Sequence, residues 1–558
     1  MPNISVKLSS GLKFLSVLSA ASVLGVSVGH PAEPPAGQKP NIVYILCDDL
    51  GYGDVHSFNP NRCKIETPNM DRLRNQGMAF TDCHAASSLC TPSRYGILTG
   101  RYSWRTRLQH GVLGGESPPL IEPGRLTVAG FLQERGYMTA GIGKWHLGLL
   151  FDTNNYSRPI VDGPLRHGFD YYYGLSASLD IPPYDYFEND HWTEIPSARK
   201  GFPSFVYGTL NSGSGPVRPG PAAPDFDAVN VLPNCTRKAI DYIRQRGADK
   251  KPFFLYLALP SPHTPLVPEK QWQGKSSIGP YGDYVMETDW AVGQVVGAVD
   301  GAGLRDNTLV MLASDNGFAP NVGSHKFEAV GHYPSAQFRG YKTDIWDGGH
   351  RIPFVVRWPG KIKRGSRSDQ IVGLWDLMAT CADILHVKLP ANAGEDSVSL
   401  LPAFLGEDSG PLHPDNTIIN QSGGNGRFAI RQGKWKLELC PGSGGGSRPR
   451  DPEALREGLP PIQLYNMHDD VGERVNIEAG NRQVITNLVR LLQKYVADGR
   501  STPGPRQSND VPVNIWMKGE SQAYGSAVPP AIPGLASTAG TSTSPYSDPP
   551  ANDPTLGN

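Results

Sequence analysis

The chain alternates between short, continuous apolar runs and longer segments with helical periodicity. Four apolar runs, at residues 41–47, 137–141, 252–259 and 308–313, predict strands, and the continuous run at 41–47 predicts a strand that is buried on both faces. Segments between them, such as 234–246 and 281–299, carry apolar residues at helical spacing and predict helices. Strands that alternate with helices predict an α/β fold with a large, mostly parallel central sheet flanked by helices.

Three other regions have different patterns. Residues 151–228 are rich in Tyr, Pro, Gly and Asp and predict long loops around the mouth of a site. Beyond residue 410, strand-like pieces at 427–432 and 435–439 and a helix at 483–496 predict a small C-terminal α+β subdomain. From Ser501 onwards the composition predicts a disordered, low-complexity tail. We therefore predict a main domain at 38–410, a subdomain at 411–500 and a tail at 501–558.

The first 32 residues have the composition of a targeting segment. Lys7 and Lys13 precede an apolar stretch at 14–28, which is followed by small residues and prolines. This pattern predicts a secretory signal peptide within residues 1–32, with cleavage near Gly29 or Ala32. The stretch is too short and too rich in Ser and Gly to favour spanning a bilayer, and no later stretch is a candidate. We predict an exported protein, periplasmic or extracellular.

Charge and cysteine content limit the function classes. The 52 basic and 53 acidic residues give a net charge of −1, so nothing global favours nucleic acid or an acidic membrane as a partner. An anionic ligand would need a local cluster of cations. Export permits disulfides among the 7 cysteines, although spacing does not determine their pairing. Cys63 with Cys83 is the pair that we would test first, and Cys47, inside a predicted strand, is expected to be a free buried thiol.

Polar side chains follow each of the four predicted strands. They are Asp48 and Asp49, Lys144 and His146, His263, and Asp315 with Asn316. Because parallel strands end at one edge of a sheet, we expect these groups to converge there. Asp48, Asp49, Asp315 and Asn316 offer only hard oxygen ligands, which suit Ca²⁺, or Mg²⁺ as the alternative, better than zinc. Three crowded carboxylates would also repel one another without a cation.

Cys90 lies at the start of a predicted helix. Pro92 suits a first helical position, and the unpaired N–H groups of a helix N-terminus favour an anion. Arg94, one turn into the helix, can direct its guanidinium group back towards Cys90. The alternative reading is a buried structural thiol.

The segment Cys90-Thr91-Pro92-Ser93-Arg94, followed by Gly100-Arg101, resembles the signature of the formylglycine-dependent sulfatases. Other segments are similar in order and kind to the arylsulfatase A-like branch of that family. They are the Asp48-Asp49 loop, Gly143-Lys144-Trp145-His146, Pro262-His263-Thr264-Pro265, Ser314-Asp315-Asn316-Gly317, and residues 340–353 with Lys342 and Gly348-Gly349. The resemblance covers residues 40–500 apart from the middle loops, and it implies an alkaline-phosphatase-like fold.

The resemblance implies a role for each matching residue. A maturation enzyme would oxidise Cys90 to formylglycine, whose hydrate would be the nucleophile. Asp48, Asp49, Asp315, Asn316 and the modified Cys90 would hold Ca²⁺. Arg94 and Lys144 would steady the hydrate, and Lys144, His263 and Lys342 would bind sulfate oxygens. His263 would protonate the leaving group, and His146 would take a proton from the remaining hydroxyl.

The expected substrate is a sulfated carbohydrate, such as an algal galactan or a glycosaminoglycan. The alternatives are a phosphodiester or phosphonate monoester hydrolase of the same superfamily, or an inactive homologue that binds sulfated glycans. His325, Lys326, His332 and Arg339 are candidates for either a substrate subsite, with His325 foremost, or an ordinary surface loop. Arg101 and Arg105 are expected to be structural ion-pair partners. The oligomeric state is not predicted.

Overall fold

The computed structural model describes residues 39–201, 217–407 and 410–516, and its centre is a ten-stranded sheet. In spatial order its strands are β13 (Ser366–Ser368), β2 (Met78–Phe80), β12 (Phe354–Arg357), β11 (Thr308–Ser314), β1 (Asn41–Cys47), β10 (Phe253–Ala258), β4 (Met138–Lys144), β5 (Tyr171–Leu175), β6 (Phe187–Glu188) and β7 (His191–Trp192). The strands from β11 to β5 are parallel to their neighbours, whereas β12 and β6 run antiparallel. The predicted mostly parallel sheet is confirmed.

Helices cover both faces of this sheet, and further helices belong to the C-terminal part described below. They are α1 (Pro68–Gln76), α2 (Cys90–Thr99), α3 (Val128–Gln133), α4 (Val231–Asp249), α5 (Pro280–Gly301), α6 (Ser324–Ala329), α7 (Asp347–His350), α8 (Leu377–Ile384), α9 (Leu401–Leu405), α10 (Asp451–Arg456) and α11 (Arg482–Ala497). Val43 and Ile45 pack into a core with α4 and α5, whereas Ile42 and Tyr44 pack into a second core with α2 and α3. This double burial explains the continuous apolar run of β1.

A small antiparallel sheet forms the C-terminal part. Its strands are β15 (Thr417–Gln421), β16 (Phe428–Gln432), β17 (Trp435–Glu438) and β18 (Gln463–Asn466). Ile430 and Leu464 of this sheet share a core with Leu488 and Leu492 of α11. The predicted α+β character of this part is confirmed, while the exact domain boundaries stay a prediction.

The prediction that residues 151–228 form only loops is wrong. The segment contributes β5, β6 and β7 to the main sheet, and a separate hairpin pairs β8 (Ala198–Lys200) with β9 (Gly220–Ala222). Most of these strands are too short to show an alternating pattern. Tyr172 stacks on Phe187 with ring centroids 4.6 Å apart, so aromatic packing holds the edge strands together.

The expected disorder from Ser501 onwards is also wrong for residues 501–516. Ile515 and Trp516 are buried in the C-terminal core, and Asp510 pairs with Arg101 at 3.0 Å. The signal peptide predicted within residues 1–32 and the tail beyond residue 516 lie outside the described residues. Among the described residues, no helix has the length and apolar character needed to cross a membrane.

The suggested disulfide between Cys63 and Cys83 is not present, because both are free buried thiols. Cys63 packs in the core on one face of the main sheet and Cys83 in the core on the other face. The sheet therefore separates the two thiols. Cys47 is a free buried thiol, as expected.

The remaining strands, β3 (Cys83–His84) and β14 (Val372–Gly373), form a short parallel pair. They lead the chain from the main sheet towards α2 and α8 respectively. The segment before Cys90 lies next to the C-terminal sheet, because Ser87 forms a β-bridge with Gln421 of β15.

Candidate active site

Four neighbouring parallel strands end at the same edge of the sheet and bring the predicted polar groups together there. Asp48 and Asp49 directly follow β1, Asp315 and Asn316 directly follow β11, Lys144 ends β4, and His263 lies on the turn after β10. Backbone hydrogen bonds join these ends, since Asp315 N–H donates to the Cys47 carbonyl and Asp48 N–H to the Ser261 carbonyl. The convergence predicted from strand order is observed.

Several of the predicted site residues offer their ligand atoms in one buried cluster. Ligand atoms of Asp48, Asp49, Cys90 and His263 all lie within 4.8 Å of one another. The amide nitrogen of Asn316 donates to Asp49 Oδ1 at 2.7 Å, so the amide oxygen is left without a hydrogen-bond partner although it is buried. Buried polar atoms are rarely left unpaired. The carboxylates and this free amide oxygen fit a hard divalent cation such as Ca²⁺.

Three cations face the three carboxylates. Lys144 Nζ lies 2.6 Å from Asp48, Lys342 Nζ 2.7 Å from Asp49, and Arg94 Nη2 2.8 Å from Asp315. Burial alone would raise the pKa of Asp48, but the neighbouring cations, led by Lys144, hold it well below its usual value. Burial and the Asp48 charge raise the pKa of Asp315. Asp315 is therefore paired with Arg94 but also faces the charge of Asp48.

Cys90 begins α2, which is buried along its whole length. Pro92 was predicted to be the first residue of this helix, but the helix starts at Cys90 and Pro92 is its third residue. Proline is still tolerated there because the N–H groups of the first turn have no acceptor within the helix. Cys90 Sγ lies 3.5 Å from Asp48 Oδ1. Burial, together with Asp315, raises the pKa of the Cys90 thiol. An unmodified thiol here is therefore protonated at neutral pH and is a poor nucleophile.

The two histidines are each fixed by a backbone carbonyl. His146 Nε2 lies 2.8 Å from the Leu113 carbonyl and must donate to it, which leaves the buried Nδ1 as a free acceptor. Burial, Lys144 and Arg94 hold the pKa of His146 well below its usual value. His263 Nδ1 donates to the Thr264 carbonyl at 2.6 Å, and its Nε2 lies 3.6 Å from Asp49. His146 is a neutral base, and His263 directs Nε2 into the cluster.

Three non-glycine residues at this edge of the sheet have a strained backbone conformation. Asp49, His146 and Thr343 have φ values of 65°, 56° and 81°, in the left-handed region that non-glycine residues rarely occupy. Such conformations persist where the surroundings hold them, and they are enriched at functional sites. For Thr343, which adjoins Lys342, this conformation could not be predicted from the sequence.

The remaining candidates are not part of the cluster. His325 is exposed on α6, and no hydrogen bond or ion pair among the described residues joins it to the cluster. His332 is buried and contacts Asp54 at 2.9 Å, and Arg339 lies 3.6 Å above the ring of Trp346. Arg101 and Arg105 form buried ion pairs, as expected. The sequence did not indicate that the Leu113 carbonyl would orient His146, because that contact depends on a loop.

This fold and this buried cluster of opposite charges define an enzyme of the alkaline-phosphatase-like class that acts on anionic esters. The sulfatase family model matches residues 40–387 of the chain. The chain is 33% identical to N-acetylgalactosamine-6-O-sulfatase of Bacteroides thetaiotaomicron over 489 residues, which cover 82% of this chain and 93% of that protein. It is 32% identical to arylsulfatase A of Bos taurus over 496 residues, or 85% and 91% of the two chains.

A solved structure agrees with these matches. It is described with the metabolism of multiple glycosaminoglycans by Bacteroides thetaiotaomicron, and it superimposes with a TM-score of 0.72 at 32% identity, covering 82% of this chain and 99% of that one. The chain belongs to the sulfatase family. The predicted family and the alkaline-phosphatase-like fold are therefore confirmed, and the protein is a sulfatase.

Proposed function

We propose that the protein is an exported sulfatase that removes sulfate from a sulfated carbohydrate, with a formylglycine hydrate made from Cys90 as nucleophile and a bound Ca²⁺. The observation that carries this proposal is the position of Cys90, at a buried helix N-terminus and 3.5 Å from Asp48. A maturation enzyme is the partner that this proposal requires, and the leader predicted within residues 1–32 is the reason to propose export.

The donor set supports Ca²⁺ as the ion. Asp48, Asp49, Asp315 and the free amide oxygen of Asn316 would hold it, with the modified Cys90 as a further ligand. When present, the ion supplies positive charge beside Cys90, and the hydrated aldehyde supplies the nucleophilic oxygen. All other contributions come from side chains of the chain itself.

The charge balance favours an anionic substrate. Arg94, Lys144 and Lys342 already offset the charges of Asp48, Asp49 and Asp315 in pairs. A divalent ion therefore leaves an excess of positive charge, which a sulfate ester with one negative charge would offset. In this proposal Lys144 and Lys342 bind sulfate oxygens, where preorganised donors stabilise the charge that develops in the transition state.

The histidines would move protons at two different atoms. His146 would accept a proton at Nδ1, because its Nε2 is committed to the Leu113 carbonyl and its pKa is low. His263 would donate from Nε2 to the leaving alcohol. Because His263 Nδ1 already donates to the Thr264 carbonyl, Nε2 carries a proton only when the ring is cationic.

The relatives narrow the first substrates to test. One relative is named N-acetylgalactosamine-6-O-sulfatase, and a similar solved structure is described with glycosaminoglycan metabolism. We therefore propose a sulfated glycosaminoglycan fragment as the substrate, with 6-sulfated N-acetylgalactosamine as the first candidate.

The proposal is tested by sulfate release from an aryl sulfate and from defined sulfated oligosaccharides. The protein is co-expressed with a formylglycine-generating enzyme, and peptide mass analysis reports the state of Cys90. We expect turnover that requires the modified residue, is lost on chelation and returns with Ca²⁺. Cys90→Ala should abolish turnover, whereas Cys235→Ala, a buried cysteine of α4, should not.

Two results would contradict the proposal. Cys90→Ala with near-wild-type turnover would exclude the nucleophile. Faster hydrolysis of aryl phosphodiesters or phosphonates than of the aryl sulfate would instead favour the alternative hypothesis, a phosphodiester or phosphonate monoester hydrolase.

A further inference from the structure

Lys342 occupies the second position of a β-turn whose third residue is Thr343. The turn spans residues 341–344 and is closed by a hydrogen bond from Asp344 N–H to the Tyr341 carbonyl at 3.0 Å. Thr343 has φ 81°, the value that the third residue of a type II turn adopts. That position favours glycine, and a β-branched residue there is a true outlier. The surroundings must therefore hold the turn in this conformation.

Thr343 is held from two sides. Its N–H donates to the Ser88 carbonyl at 2.9 Å, two residues before Cys90. Its carbonyl accepts from Gly423 N–H at 3.2 Å, and its hydroxyl accepts from Gly446 N–H at 2.9 Å. Gly423 and Gly446 belong to the C-terminal part of the chain. The turn that carries Lys342 is thus fixed between the segment before Cys90 and two glycine-containing loops.

The loop at Gly445 fits against Thr343 only because it lacks a side chain. A Cβ on Gly445 would lie 2.4 Å from the Thr343 carbonyl oxygen, which no real contact permits. A Cβ on Gly424, in the neighbouring loop, would meet nothing closer than 3.4 Å. The two glycines therefore provide a test position and a matched control in the same neighbourhood.

We propose that Thr343 and the glycine loop around Gly445 are positioning elements that hold Lys342 at the sulfate-binding position. This inference rests on the proposed function of Lys342. Lys342 Nζ reaches Asp49 at 2.7 Å from the turn, so a small displacement of the turn moves the ammonium group away from the site. The C-terminal subdomain then contributes to catalysis without touching the substrate. Misplacement of a binding group by about 1 Å can cost roughly 10²-fold in rate.

The variants Gly445→Ala and Thr343→Gly separate positioning from folding. We expect Gly445→Ala to lower kcat/KM by about 10- to 100-fold, whereas Gly424→Ala stays within about twofold of wild type. Thr343→Gly removes the strain and keeps both backbone hydrogen bonds, so its Tm should not fall. It loses the hydroxyl that accepts from Gly446 N–H and gains backbone freedom, so its kcat/KM should drop by about tenfold because Lys342 is held less firmly. Thr343→Ser keeps the hydroxyl acceptor and should restore most of the activity. Inhibition by inorganic sulfate should weaken together with kcat/KM.

A second measurement does not depend on turnover. The rate of chemical labelling of the Lys342 amine, followed by peptide mass analysis, should rise several-fold in Gly445→Ala and Thr343→Gly but not in Gly424→Ala. Unchanged labelling in the first two variants would overturn the inference, whether or not the wild type hydrolyses sulfate esters. Changed labelling with unchanged kcat/KM would overturn it as well. Failure of the wild type to release sulfate from any ester would overturn the proposed function separately.

Discussion

Two buried arginine–aspartate pairs lie near helix α2, one close to its start and one beyond its end, and their surroundings differ. Near its start, Arg94 binds Asp315; just beyond its end, Arg105 binds Asp396, and all four side chains are fully buried. Both arginines donate through Nε and Nη2. The two carboxylates differ in everything else that surrounds them.

Asp396 is saturated with donors. Besides Arg105, it accepts from Tyr102 N–H at 2.9 Å and from both the N–H and the hydroxyl of Ser501. Burial alone would raise the pKa of Asp396, but Arg105 and these donors lower it. The pKa of Asp315, which lies beside Asp48, is raised by contrast. A carboxylate surrounded by donors acts as a structural ion-pair partner, whereas a carboxylate that lies beside a second carboxylate can share a bound cation with it.

Breaking the Arg105–Asp396 pair should have the largest effect on stability. Asp396→Asn leaves the charge of Arg105 buried without its partner, so we expect the free energy of unfolding to fall by about 3–5 kcal/mol. Urea unfolding measures this change, with the exposed Asp369→Asn as the control. The protein that remains folded should keep its kcat. A loss below about 1 kcal/mol would show that the contrast between the two ends is wrong.

The corresponding change at the other end should affect turnover more than stability. Asp315→Asn removes a carboxylate whose charged form is already disfavoured, so its loss of unfolding free energy without metal should be clearly smaller than that of Asp396→Asn. Its kcat should fall by about 10²–10³-fold, by analogy with the loss of other preorganised charges. Steady-state kinetics with added Ca²⁺ provides the test. Equal destabilisation by the two variants would remove the distinction.

Truncation tests how much residues 501–516 contribute to the stability of the Arg105–Asp396 pair and its surroundings. A stop after residue 500 removes Ser501 from Asp396 and Asp510 from Arg101, and it also removes the buried side chains of Ile515 and Trp516. We expect a loss of about 2–4 kcal/mol in unfolding free energy. A chain that stops after residue 516 is the matched control, and the difference in unfolding free energy between the two truncated chains is the quantity measured. Equal stability of both truncated chains would exclude a structural role for 501–516.

The smallest expected effect is on pH dependence. The pKa of Asp396 in the folded state lies below its ordinary value of 3.8. The ionised Asp396 therefore adds its full share to the free energy of unfolding above pH 3.8, and this share is lost as the pH falls through the folded-state pKa. The difference in unfolding free energy between wild type and Asp396→Asn should therefore be full at about pH 6 and shrink at about pH 3. Unfolding curves at the two pH values measure it. A difference that grows on acidification would contradict the lowered pKa.

The parts of the molecule that could be predicted are those encoded locally. The continuous apolar run of β1 showed burial on both faces, and polar residues directly after parallel strands showed where the site would lie. The strands of the middle segment were missed because short strands carry too little periodicity. The order of 501–516 was missed because Arg101 and Asp510 are 409 positions apart, and nothing in the composition of either segment reports the other.

The same reasoning applies within the site. Residue types and strand ends sufficed to assemble Asp48, Asp49, Asp315 and Asn316. The candidate His325 failed to join them because its position depends on how a long loop folds, not on a strand. The left-handed φ of Thr343 was equally hidden, since it is imposed by loops that lie about a hundred residues further along the chain.

The buried contacts of Arg101 and Asp396 with later parts of the chain also have a consequence for biosynthesis. Ser501 and Asp510 leave the ribosome long after Asp396 and Arg101, the residues that they contact, so both contacts are missing until residues 501–510 have been made. The segment that follows the Cys90 helix therefore gains this support only after Asp510, 409 positions beyond Arg101, has been made.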